Sequence, residues 1–250
     1  MFTKKAGEIL SVTGENIIED TATLLTAKVT DKEKCFAGMR GQPALQEWFL
    51  NVADGADPDT DIWNVTETND AAVTVDVYDS IGFLKVLTGT ADGNAAIVDT
   101  KDILAWNVNK TDGAISELHM KNIFRIIDLT GEVGFGLSAV SSPSNAENWD
   151  NPGGYVASIH VDNDTVNFCS SDGTTTEKTN AISWISTNNT WYTAEIIVTA
   201  TSVKFYIDGT LRATHSTNVP AYVQKFGVSA RNTNSITSEI DVQYVHVWTE

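Results

Sequence analysis

The chain has 250 residues, of which 42% are apolar and 20% charged, enough to build a full core. Its 33 acidic residues against 16 basic ones leave a formal charge of −17, a surface that repels phosphate backbones and excludes nucleic acid as a partner. No stretch is long and apolar enough to span a membrane, and the lysines of "MFTKKAGEIL" precede no apolar run of the kind a secretory signal needs.

The charge is unevenly placed. Residues 1–44 hold six Lys/Arg and six Asp/Glu, whereas residues 45–250 hold ten and 27, so the second region carries the whole excess. This predicts a neutral N-terminal arm over 1–44 and an acidic body over 45–250. "PALQEWFLNVA" (43–53), with Pro43 suited to a first helical turn, is the one helical candidate. In "DGADPDTD", Asp57, Asp59 and Asp61 stand at alternate positions; an acidic surface loop is the simpler reading, and such hard oxygen ligands would also suit calcium.

Strand patterns dominate from there on. "AAVTVDVYDS" alternates Val73, Val75 and Val77 with polar residues, and "SELHMKNIFRI" alternates Leu118, Met120, Phe124 and Ile126 with His119, Lys121 and Arg125. The alternation places His119, Lys121 and Arg125 on one face, a solvated face or a glycan-binding one. "GEVGFGLSAV" follows. Then Trp149 and Tyr155 flank "DNPGG", a loop expected to be exposed, which makes both rings candidates for sugar stacking. "YVASIHVD", "DTVNFCSSD" and "TWYTAEIIVTA" read as further strands. "VKFYIDGTLRATH" is a hairpin about Asp208-Gly209, and "KFGVSARN" and "EIDVQYVHVW" close the chain. Trp191 and Trp248 lie in apolar runs and are expected in the core. Many short strands separated by turn residues define an all-β sandwich or jelly roll.

The two cysteines, Cys35 and Cys169, form no disulfide framework, and no GxSxG, HExxH, GxGxxG or Walker motif occurs. Near the C-terminus, Glu239 and Asp241 supply two of three alternating acids that would line one face of a strand, but the third position is Gln243. Hydrolysis through paired carboxyl groups needs a proton donor that glutamine does not provide. No catalytic residue is therefore expected.

The succession "WYTAEI", "FYIDGTLRATH", a Pro-containing loop, "FGVSARN" and "EIDVQYVHVW" resembles the second half of a concanavalin A-like lectin/glucanase domain. The resemblance, covering about residues 60–250, implies a two-sheet antiparallel jelly-roll sandwich to which residues 1–44 are an N-terminal extension. Glu239, Asp241 and Gln243 resemble a broken form of the acidic triplet of laminarinase-type hydrolases in that family. The version with short polar loops and no signal peptide is similar to modules on phage tail fibres and capsid surfaces. That resemblance implies a non-enzymatic protein on a virion surface, a homo-oligomer such as a trimer, docked on capsid or tail proteins through the arm. Attachment to a host glycan and divergent polysaccharide lyase or hydrolase activity are the alternative expectations.

Overall fold

A computed structural model describes residues 45–48, 55–78, 81–101, 106–107, 117–139, 149, 154–223, 225–233 and 235–249. The arm expected over residues 1–44 lies outside the described residues.

The first strands are β1 (Leu45–Trp48), β2 (Trp63–Glu67), β3 (Ala72–Tyr78), β4 (Ile81–Leu87), β5 (Ala95–Thr100) and β6 (Trp106–Asn107). The middle of the chain gives β7 (Glu117–Ile126), β8 (Glu132–Ser138), β9 (Tyr155–Asp162), β10 (Thr165–Asp172), β11 (Thr176–Asn180) and β12 (Thr190–Thr199). It ends with β13 (Val203–Ile207), β14 (Thr210–His215), β15 (Tyr222–Val223), β16 (Lys225–Arg231) and β17 (Glu239–Thr249). One sheet runs β14-β13-β12-β7-β17-β4-β3, with β1 also on β17; the other runs β11-β10-β9-β8-β16-β5-β2. A two-stranded piece joins β15 to β6. Pairings among the described residues are antiparallel.

The two large sheets face each other, and alternation decides what lies between them. From the first sheet come Leu84, Met120, Phe124, Ile196, Phe205 and Val242; from the second come Val98, Phe135, Ile159, Phe168 and Phe226, all buried in one cluster. Phe124 meets Phe135 at 4.5 Å between ring centroids, and Phe168 stacks on Phe205 at 5.0 Å, so aromatic pairs bridge the layers. Burying each such ring contributes on the order of 2–3 kcal/mol. The hairpin expected at Asp208-Gly209 is present. Both residues take positive φ (51° and 74°), as a tight two-residue turn demands, and the Thr193 amide donates to Asp208 Oδ1 at 2.9 Å.

The helix expected over 43–53 is not formed where the chain is described: Leu45–Trp48 is a strand. The reason lies in its partner. β4 pairs with β17 only along Glu239–Val242, which leaves the Tyr244–Val247 edge of a long central strand without backbone partners. β1 pairs with that edge, and the ladder it completes outweighs local helical preference.

Candidate functional site

The outer face of the first sheet is built from the residues that alternate away from the core. Four strands contribute one row across it. Trp191 on β12 stands opposite Arg125 on β7, Arg125 opposite Asp241 on β17, and Asp241 opposite Lys85 on β4. Arg125 Nε donates to Asp241 Oδ2 at 2.6 Å, and Arg125 Nη1 donates to Asn189 Oδ1 at 3.1 Å. The guanidinium lies 4.8 Å from the Trp191 ring and 5.2 Å from that of Phe83, a cation seated against two aromatic rings that meet edge to face. Glu239, two residues before Asp241, shares its face, and Lys85 Nζ reaches Glu239 at 3.7 Å and Asp76 at 3.3 Å.

The two carboxyl groups differ in environment. Asp241 is fully buried, and burial pushes its pKa up to about 6, against the opposing pull of Arg125. The Glu239 side chain is 21% exposed beside Lys85, whose own pKa is raised by the surrounding carboxylates despite partial burial. The arrangement thus sets a fully buried carboxyl, clasped by Arg125, beside a partly exposed one, next to an indole that is 38% exposed.

The third position of the acidic pattern is altered twice. It is Gln243, and the pairing of β17 with β7 shifts register between Val242 and Tyr244. The bulge reverses the alternation: Val245 and Val247 enter the core, while Tyr244, His246 and Trp248 turn outward.

His119, Lys121 and Arg125 lie together on this outer face, as their spacing predicts, but in different settings. His119 stacks on Trp248 at 4.8 Å, Trp248 stacks on His246 at 4.4 Å, and the His119 ring nitrogens face Glu117 at 3.1 Å and Glu195 at 3.6 Å. Burial, with Lys121 nearby, lowers the pKa of His246. Lys121 is exposed, and Arg125 is the clasp on Asp241. Trp191 and Trp248 are on this face too, not in the core. On β12 the buried Ala194, Ile196 and Val198 set the inward phase, which leaves Trp191 out.

Trp149 is the reverse case. It is fully buried, so its ring offers no exposed platform. It lies on the outer face of the second sheet, where Gly134 and Gly227 leave room for an indole; a Cβ added at Gly134 would sit 2.4 Å from Trp149 Cδ1. Trp149 Nε1 donates to Ser229 Oγ at 2.7 Å, and Ser158 Oγ donates to the Trp149 carbonyl at 2.6 Å. Beside it, Lys225 Nζ donates to Asp99 Oδ1 at 3.1 Å, and His160 Nε2 stands 3.7 Å from Glu132 Oε1. All four of these charged or polar side chains are nearly fully buried, so this face is closed. Tyr155 is half-buried at the end of the same sheet, away from His119, Lys121 and Arg125. Asp57, Asp59 and Asp61 are exposed, with Asp59 Oδ1 accepting from the Asp61 amide at 2.9 Å. Among the described residues, no group of three or more His, Cys, Asp or Glu side chains is placed to hold a metal ion.

The architecture is the concanavalin A-like jelly roll. A Bacillus licheniformis β-glucanase superposes with a TM-score of 0.55 at 14% identity, over 84% of this chain and 100% of the other. The carbohydrate recognition domain of Emp47p matches with a TM-score of 0.55 at 12% identity, over 85% and 97% of the respective chains. Crh5 transglycosylase gives 0.53 at 14% identity, over 84% and 85%. No protein-family model matches the chain, and no curated protein matches its sequence. Likeness at such identities shows the fold. The expectation of a non-enzymatic virion protein is overturned by these neighbours: solved structures that share the architecture include a β-glucanase, a transglycosylase and a glycosidic hydrolase.

Proposed function

We propose that the chain acts on a neutral polysaccharide as a divergent glycoside hydrolase, with the substrate lying across the outer face of the first sheet. One observation carries this reading: Glu239 and Asp241 project from one strand in unlike environments beside the exposed Trp191, which Arg125 holds in place. Residues two apart on a strand are rooted about 7 Å from each other, so the buried Asp241 lies beside Glu239 and shapes the field around it. Glu239 is the accessible carboxylate that meets the substrate. Asp241, buried beside it and clasped by Arg125, takes up a proton only as the pH falls towards 6. Trp191 supplies the apolar face on which a sugar ring stacks.

Gln243 then plays no part in proton transfer, and the bulge that displaces it costs the site nothing. The formal charge of −17 disfavours polyuronates, which the same field would repel. A neutral β-glucan, the substrate named for the Bacillus licheniformis enzyme, meets no such barrier. The test is reducing-end release from β-glucan and from alginate. The account expects release from β-glucan alone, with KM raised about tenfold in Trp191→Ala, the loss of one stacking contact of about 1.4 kcal/mol. Release from alginate alone would replace the hydrolase with a lyase, and binding without release would leave a lectin-like module.

A further inference from the structure

A second site lies at the far end of the other sheet, where β8 ends, β9 begins and β10 turns into β11. Tyr155 and Asp172 are direct partners in the β9–β10 ladder, so their side chains rise on one face. The Ala139 amide donates to the Tyr155 carbonyl at 3.0 Å and fixes the start of β9. Tyr222, on β15, brings its ring to 4.5 Å from that of Tyr155, tilted by 54°. Together with Gly173 and Thr174 these residues line a cavity of about 210 Å³.

The polar wall of this cavity is preset. Thr174 and Thr175 donate four hydrogen bonds to Asp172, all of them to Oδ1. They fix the carboxylate in the turn and hold its pKa at about 2, the Thr175 amide contributing most. Oδ2 remains an acceptor, and the group is ionised throughout the physiological range. The cavity is smaller than the roughly 300–1,000 Å³ of sites for drug-sized ligands, so one small ring fills it. Two phenol rings, two phenolic hydroxyls and a fixed acceptor match a compact ligand with an apolar face and an edge of hydroxyl groups.

We propose that this pocket binds a single neutral hexose unit, with its ring against the Tyr155–Tyr222 pair and its hydroxyls donating to Asp172. The site is separate from the Glu239–Asp241 face and does not depend on it. It gives the chain a second hold on a glycan, at a chain end or branch.

Titration of the full chain with glucose, galactose, mannose and N-acetylglucosamine, followed by calorimetry and by tyrosine chemical shifts, tests the assignment. The expected result is saturable binding of at least one sugar at millimolar concentration. It should weaken tenfold or more in Tyr222→Ala and in Asp172→Asn. Asp172→Asn keeps the side-chain oxygen that closes the turn, so it reports on the site even if Tyr222→Ala does not fold. Absence of saturable binding, or binding that survives Asp172→Asn, would overturn the proposal. Preference for choline over all four sugars would also overturn it, by making the tyrosine pair and carboxylate a cation cage. Loss of hydrolysis in Glu239→Gln with sugar binding retained would show that the two sites stand or fall separately.

Discussion

Arg125 and Asp241 are direct partners across β7 and β17, and the 2.6 Å contact between Nε and Oδ2 joins a 15%-exposed guanidinium to a carboxyl with no exposed side-chain surface. Removing one partner strands the other. Arg125→Ala is expected to destabilise the protein by about 3–5 kcal/mol at neutral pH, because it leaves a buried carboxylate without its cation. Asp241→Asn should cost less, and the double variant should cost clearly less than the two single losses together. Urea denaturation of the four proteins measures this. Additive losses would mean that the pair is not coupled.

The same carboxyl predicts a pH dependence. The pKa of Asp241 rises from an ordinary 3.8 to about 6 on folding. Below pH 4 the group is protonated in both states and its contribution is fully present. Between about pH 4 and 6 the folded state keeps a proton that the unfolded state has lost, so stability falls as pH rises, by at most roughly 3 kcal/mol. Above pH 6 the contribution is gone. Comparing the stability of wild type and Asp241→Asn from pH 4 to 7 isolates this group, and the difference between them should shrink through that window. A constant difference would place the Asp241 pKa outside it.

The two-sheet architecture was legible because alternation and turn residues are local. Val73 and Val75, the even positions of β7, and Asp208-Gly209 each announce themselves in a few residues. What depended on distant partners was not legible. The strand at Leu45–Trp48 exists because β17 has an unpaired stretch, and no pattern within 43–53 shows that edge. The bulge after Val242 turns Tyr244, His246 and Trp248 outward, although unbroken alternation would keep them in phase with the buried Val242. Trp191 could have been found, since the phase of Ala194, Ile196 and Val198 puts it outside; the outward Ile197 blurred that signal. Trp149 was misjudged because its seat is made by glycines on β8 and β16, far away in the chain.

That seat gives a prediction of its own. A Cβ on Gly134 would overlap the Trp149 ring, whereas one on Gly227 would touch it at 3.4 Å. Gly134→Ala is expected to displace the indole and destabilise the protein by about 1–3 kcal/mol, with a red shift in tryptophan emission. Gly227→Ala should do markedly less. Thermal melting and fluorescence of the two variants decide it, and equal effects would mean that the indole does not lie against Gly134.

The functional account rests on Glu239 more than on any other residue. The direct measurement is the rate of reducing-end release from neutral β-glucan by wild type and by Glu239→Gln, with β-glucan binding followed in parallel. Loss of a carboxylate that takes part in the chemistry should lower the rate at least a hundredfold while binding persists, since general-base or nucleophilic groups contribute about 10²–10⁴-fold. A wild-type protein without release, or a Glu239→Gln variant that cleaves at the wild-type rate, would contradict the assignment of this face as a hydrolytic site.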